Sequence, residues 1–97
     1  MSETVDDITI AFTEDGILKI KELDKQILSK GAWTTILFRY QEWDNTKQDF
    51  GAVKYSIRRY QKRNDQYWQK SKFNISSDEQ AKKIIETLSK WASTISI

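Results

Sequence analysis

The sequence contains no cysteine, no histidine and no proline among its 97 residues. The absence of cysteine excludes disulfides, thiolate metal sites and thiol nucleophiles. The absence of histidine removes the commonest general base and the commonest metal ligand. Only three glycines are present, and they do not form a phosphate-binding loop. We therefore predict that the protein is not an enzyme and uses no cofactor or metal. A magnesium site at Asp44 and Asp49, two carboxylates of one polar loop, is the minor alternative.

Long apolar runs are also missing from the sequence. No stretch approaches the roughly 20 apolar residues of a membrane span, and no apolar run follows a basic start as in a signal peptide. With 38% apolar, 12% aromatic and 31% charged residues, the composition is typical of one soluble globular domain. We expect no membrane partner and a cytoplasmic location, at the nucleoid if the protein is bacterial.

Charge is distributed unevenly along the chain, although the net charge is only +2. Residues 1–16 hold five acids and no base, so the other 81 residues carry 16 bases against 9 acids. This asymmetry predicts an acidic flexible tail over 1–16 and a basic domain over 17–97. A basic domain favours a polyanionic partner. The acidic tail is a candidate competitor of that partner, because it can lie over the basic face as a weak electrostatic gate. Residues 8–12 have an alternative interpretation as a short edge strand.

Hydrophobic periodicity predicts an α+β domain with a four-stranded antiparallel sheet followed by one C-terminal helix. Period-two alternation indicates strands at 17–21, 32–43, 53–62 and 67–75. A polar turn at 63–66 separates the last two strands. Ser77 with Gln80, or Ser76 with Glu79, fits a capping box at the start of the helix. An apolar stripe follows at steps of three and four, at Ala81, Ile84, Ile85, Leu88, Trp91, Ala92 and Ile95.

The alternation predicts one apolar sheet face beneath the helix and one basic, aromatic face open to solvent. The predicted core is Leu18, Ile20, Ile36, Phe38, Tyr55, Ile57, Phe73 and Ile75. The open face suits single-stranded nucleic acid, because cations neutralise phosphates and aromatic rings stack on unpaired bases. We predict that the nucleic-acid-binding residues are Arg39, Lys54, Arg58, Arg59, Tyr60, Lys62, Trp68, Lys70 and Lys72.

Two details of this face stay open. Arg58 and Arg59 are adjacent, so a regular strand presents only one of them to a ligand. A slip of one residue in the second strand would move Trp33 and Trp43 from the open face into the core.

The apolar stripe of the helix extends past the area that a small sheet covers. This predicts a homodimer joined through Ile84, Leu88, Trp91 and Ile95. In the alternative, the C-terminus frays and Trp91 folds back onto the sheet.

Residues 53–91 resemble the positive-cofactor-four family of single-stranded-DNA-binding transcriptional coactivators, as a bacterial relative. The resemblance lies in the strand VKYSIRRY, in the basic strand ending KSKFNIS, and in DEQ opening a helix that carries Ile84, Ile85 and Leu88. It implies a curved four-stranded sheet, dimers joined through the helix, and contacts to DNA from Lys54, Arg58, Tyr60, Lys70 and Lys72, with Trp68 as the stacking ring. Pur-domain and Whirly proteins share this order of elements.

We therefore expect a homodimeric protein that binds single-stranded DNA, or RNA, with low sequence specificity. It would serve transcription, replication or repair as an accessory factor, with the transcription machinery as a further partner. The alternative is a protein–protein interaction module that uses the exposed aromatics and the C-terminal helix.

Overall fold

The computed structural model describes residues 4–95, with side chains for residues 4–92. The strands are β1 Phe12–Glu14, β2 Ile17–Ser29, β3 Trp33–Asp44, β4 Asp49–Phe50, β5 Lys54–Arg63 and β6 Gln66–Ile75, and the helix is α1 Asp78–Ile95. One curled antiparallel sheet has the order β1-β2-β3-β5-β6, with β4 paired to β3. The predicted α+β class, an antiparallel sheet followed by a C-terminal helix, is confirmed. The predicted count of four strands is not, because β1 and β4 are short additions to the sheet.

The β5–β6 hairpin closes through a tight turn at Asn64 and Asp65. Both residues adopt positive φ angles, 52° and 62°, which is the geometry of a two-residue type I′ turn. Asn and Asp tolerate this left-handed conformation better than most residues do. The turn fixes how β5 and β6 pair and thereby positions the residues of the candidate site.

The β3–β5 register divides the sheet into two faces of different chemistry. Residues directly opposite each other in an antiparallel pair lie on the same face. Phe38 is opposite Ser56, whereas Leu37 is opposite Ile57. Phe38 and Tyr40 therefore share one face, which we call the core face, and Leu37 and Ile57 share the other, which we call the helix face. Ile36, Phe38 and Ile75 of the predicted core are buried. The prediction that Phe38 and Ile57 share one face is wrong by one residue of register.

An N-terminal segment, residues 4–11, covers part of the core face. Ile8 and Ile10 are buried in one cluster with Phe38 and Tyr40 of the sheet, and Val5 packs against it. The structure thus differs from the expected flexible tail. Acids dominate the charge of residues 1–16, but Val5, Ile8 and Ile10 supply enough apolar surface to pack the segment on the sheet.

Two polar side chains of β2 hold the N-terminal segment in place. Lys25 Nζ donates hydrogen bonds to the carbonyl oxygens of Asp6 at 2.8 Å and Ile8 at 2.6 Å. Glu22 Oε1 accepts hydrogen bonds from the Thr9 hydroxyl at 2.7 Å and the Ile10 amide at 3.2 Å. These bonds satisfy backbone groups that lie outside the sheet ladder.

Shortening Ile8 to valine tests whether the segment belongs to the core. Ile8 is only 2% exposed, so Ile8→Val is expected to lower the free energy of unfolding by about 0.5–1.5 kcal/mol. Ile17→Val is the matched control, because Ile17 is exposed. Urea denaturation of both variants measures the difference, and equal stabilities would show that residues 4–11 are not packed in solution.

Helix α1 begins at a capping motif and is tethered to the sheet. Ser77 Oγ accepts a hydrogen bond from the Gln80 amide at 3.1 Å, and Gln80 Oε1 accepts one from the Ser76 amide at 3.0 Å. The Tyr55 hydroxyl donates to Asp78 Oδ1 at 2.7 Å, which raises the pKa of the Tyr55 phenol. The tether places α1 over the helix face. Among residues 4–95, no helix is both long and apolar enough to cross a bilayer.

Candidate nucleic-acid interface

A row of three side chains, two exposed tryptophans with a half-buried glutamine between them, crosses β3, β5 and β6 on the helix face. Trp33 is opposite Gln61, and Gln61 is opposite Trp68. We call this row the tryptophan platform. Its two indoles are 41% and 40% exposed, and they lie two strand spacings apart, about 10 Å. The platform therefore presents two aromatic rings to solvent from neighbouring parts of one sheet.

Three cationic side chains border the tryptophan platform. The Arg59 guanidinium lies 4.5 Å from the centre of the Trp33 ring, a distance typical of a cation–π contact. Arg63 and Lys70 line a cleft of about 300 Å³ together with Trp68. None of these three cations forms an ion pair with a residue that the structure describes. Their charge is therefore available to an anionic ligand.

A β-bulge in β6 determines which side chains meet at the platform. Arg59 is opposite Ser71, but Tyr60 is opposite Gln69, so Lys70 is an extra residue in β6. A bulge reverses the alternation of side chains beyond it. Trp68 consequently lies on the helix face, although simple alternation predicted that it shares a face with Lys72.

The predicted binding residues are therefore divided between the two faces, and the expectation of a single basic face is wrong. The platform side holds Trp68, Lys70 and Arg59. The core face holds Lys54, Arg58, Tyr60, Lys62 and Lys72. Arg58 and Arg59 point to opposite faces, Arg58 to the core face and Arg59 to the platform side.

Two of the core-face residues are committed to other contacts. Tyr60 is only 6% exposed, and its burial raises the pKa of its phenol, so its ring is closed to a stacking base. Lys54 Nζ forms an ion pair with Glu42 Oε1 at 2.8 Å, and this hydrogen bond raises the pKa of Lys54. Lys62 is exposed, with Nζ 5.9 Å from the centre of the Tyr67 ring.

Arg58 and Lys72 form a cationic pair on the core face. They are directly opposite each other on β5 and β6. Arg58 donates from Nε to Ser56 Oγ at 3.1 Å and from Nη1 to Gln69 Oε1 at 3.0 Å. Lys72 is exposed. Arg58 is half-buried, and its guanidinium is held in a defined orientation opposite the exposed Lys72 side chain.

Arg39 and Trp43 lie away from the platform. Arg39 is exposed on the helix face, opposite Tyr55 and Asp24. The Trp43 ring packs edge-to-face against Phe50, with ring centres 5.3 Å apart. Trp43 therefore supports the short β3–β4 pair rather than the candidate site.

An open apolar groove lies between α1 and the helix face. Its volume is about 570 Å³, and its lining includes Leu28, Leu37, Ile57, Ile84, Ile85 and Leu88. Ile84 is half-buried, whereas Leu88 is 56% and Trp91 62% exposed. Trp91 is thus not folded back onto the sheet. The Ile95 side chain, also predicted at the dimer interface, lies outside the described residues.

The loop carboxylates Asp44 and Asp49 bind backbone amides beside them. Asp44 Oδ1 accepts hydrogen bonds from the amides of Thr46 at 2.9 Å and Lys47 at 3.3 Å. Asp49 Oδ1 accepts one from the Phe50 amide at 2.8 Å. Within residues 4–92, no group of three or more acidic side chains is placed to hold a metal ion.

Comparison with known proteins gives no relative: no family model, no curated protein and no solved structure matches the chain. The candidate site therefore stands on its own geometry. That geometry adds Trp33 and Arg63, which were not among the predicted site residues. Alternation along the sequence did place Trp33 on the open face of its strand. Its position opposite Gln61, however, depends on how β3 pairs with β5, which the pattern within one strand does not show.

Proposed function

We propose that the protein is a homodimer that binds single-stranded DNA, or RNA, with low sequence specificity, as an accessory factor in transcription, replication or repair. The observation that carries this proposal is the tryptophan platform with the three cations, Arg59, Arg63 and Lys70, that border it. The order of sheet and helix is in keeping with a Whirly-like or positive-cofactor-four-like fold, which forms part of the proposal.

The platform chemistry favours unpaired bases over a duplex. Stacking on an aromatic side chain contributes about 1–3 kcal/mol per base, and every base has a face that can stack. Bases inside a duplex are already stacked on their neighbours. Duplex readers commonly insert a helix into the major groove, whereas α1 begins with the acidic residues Asp78 and Glu79, which would be repelled by phosphates.

The open groove supports the dimeric part of the proposal. Large apolar side chains that remain exposed together usually mark an interaction surface. Leu88 and Trp91 lie at one end of such a surface, and Leu28 and Phe73 of the sheet are exposed as well. A second copy that buries its own α1 against this surface would cover these side chains on both subunits.

The same apolar surface supports one alternative, a protein–protein interaction module with a different partner. The two proposals differ in what accompanies the purified protein. A nucleic-acid binder purified at low salt is expected to show a raised ratio of absorbance at 260 nm to absorbance at 280 nm, which high salt removes. An interaction module is expected to show no such change.

Tryptophan fluorescence during titration with a single-stranded oligonucleotide tests the proposed function. We expect quenching by the single strand, weaker quenching by a duplex of the same sequence, and reversal by salt. Contacts from Arg59, Arg63 and Lys70 alone predict that the logarithm of the binding constant falls with the logarithm of salt concentration at a slope of about −2 for a short oligonucleotide, since each phosphate contact contributes about −0.7. Binding that is independent of salt, or equal for duplex and single strand, would contradict the proposal.

A further inference from the structure

Cationic side chains surround the β5–β6 hairpin on both faces. Arg59 and Arg63 lie on the platform side, and Arg58 and Lys72 lie on the core face. Lys70, the extra residue of the bulge, lies between these two groups along β6. Positive charge is therefore continuous around the outer strand of the sheet.

The Arg58–Lys72 pair has the features of an anion site. Like charges directly opposite each other on neighbouring strands are unfavourable, and neither side chain has an acidic partner among the described residues. The Arg58 guanidinium is held by the Ser56 hydroxyl, which is itself fully buried and donates to Asn74 Oδ1 at 2.7 Å. An anion between the two cations would relieve their repulsion and meet a guanidinium already oriented.

The core face is exposed along the second half of β6, at Lys72 and Asn74. Elsewhere this face is covered, because Ile8 and Ile10 of the N-terminal segment share a buried cluster that reaches Tyr60 of β5 and Tyr67 of β6. Asp6 and Asp7 of the segment would also repel a phosphate chain. Strand β6 is the last strand in the sheet order, and its outer edge has no strand partner within residues 4–95. Residues 68–74 are all exposed.

We propose that a single nucleic-acid strand wraps around the free edge of β6. Its bases stack on the tryptophan platform at the helix face, Lys70 meets its backbone at the edge, and a phosphate group is bound between Arg58 and Lys72 on the core face. This inference rests on the proposed function, because it assigns a path to the same ligand. It gives a role to both of the adjacent arginines, one on each face.

Oligonucleotide length separates the two faces in an experiment. An oligo-dT of about 4 nucleotides can occupy the platform alone, whereas one of about 12 nucleotides can also pass the edge, both within the range of sites that single-strand binders use. The test compares the Arg58→Gln/Lys72→Gln double variant with the unchanged protein. Lys47→Gln is the matched control, because Lys47 is exposed in the β3–β4 loop.

For the longer oligonucleotide, the double variant is expected to reduce the magnitude of the salt slope by about 1.4, the equivalent of two phosphate contacts. Its binding of the short oligonucleotide is expected to be unchanged, as is that of Lys47→Gln at both lengths. Lys72→Gln alone, at an exposed position, is expected to reduce the magnitude of the salt slope by about 0.7. This single variant replaces the double variant in the test if the Arg58 substitution impairs folding.

Three outcomes would overturn the wrapped path. One is an unchanged slope for the longer oligonucleotide. This would mean that the strand binds only at the platform, and the proposed function would still stand. A second is an equal loss of salt slope for both oligonucleotides. This would mean that the core-face cations act by long-range electrostatic attraction and not by direct contact with a phosphate. The third is a wild-type protein that binds neither oligonucleotide, which removes the proposed function together with the path.

Discussion

Replacing Trp68 with alanine is expected to weaken single-strand binding by about 1–3 kcal/mol, a loss of roughly five- to 150-fold in affinity. The ring lies at the surface, so its removal deletes a stacking surface without opening a cavity. The salt slope should stay the same, because Trp68→Ala removes no charge. Trp33→Ala should have a similar effect, and in addition it frees the Arg59 guanidinium from its cation–π contact.

Phe12→Ala is the matched control for the loss of an exposed aromatic ring. Phe12 is exposed on β1, at the opposite edge of the sheet from Trp68. Fluorescence anisotropy of a labelled oligo-dT measures all three variants, with circular dichroism to verify folding. The platform would be excluded as the stacking site if Trp68→Ala and Phe12→Ala bound with the affinity of the unchanged protein.

Replacing Leu88 with lysine is expected to dissociate the proposed dimer. A buried anchor at the centre of an interface typically contributes about 2 kcal/mol or more, which corresponds to a rise of at least about 30-fold in the dimer dissociation constant. The folded subunit should tolerate the change, because Leu88 is already largely exposed in the single chain, and surface substitutions usually alter stability by about 0.5 kcal/mol or less.

Glu86→Lys provides the comparison for Leu88→Lys. Glu86 lies on the polar side of α1, near Glu79, Lys82 and Lys83, so a lysine there should leave the dimer intact despite the larger change in charge. Sedimentation equilibrium gives the dissociation constants. A monomer in both variants and in the unchanged protein would contradict the dimer and leave the groove open to a different partner.

Local signals in the sequence predicted the elements whose structure is itself local. The turn at 63–66 and the capping residues Ser77 and Gln80 are examples, because turn and capping preferences depend on neighbours within a few residues. These signals, together with alternation, were enough for the chain order of the main strands and the position of α1.

Features that depend on pairing between distant segments could not be predicted from alternation. The bulge at Lys70 places Lys72 and Trp68 on opposite faces of the sheet. In β2, two register shifts, between Glu22 and Asp24 and between Ile27 and Ser29, interrupt the alternation, so the sequence pattern did not reveal the second half of that strand. Composition misled the interpretation of residues 1–16, because five acids and no base drew attention away from Ile8 and Ile10, which pack on the sheet.

The position of the N-terminal segment has a consequence for how the chain acquires its structure during synthesis. Ile8 is made early, but it shares its cluster with Tyr60 and Tyr67, which leave the ribosome only when most of the chain is complete. Contacts between distant segments require a large loop to close first. The N-terminal segment should therefore pack on the core face late, after the β5–β6 hairpin has formed. Until then the aromatic side chains of β3 are uncovered, and a nascent chain stalled before β6 should be prone to aggregate.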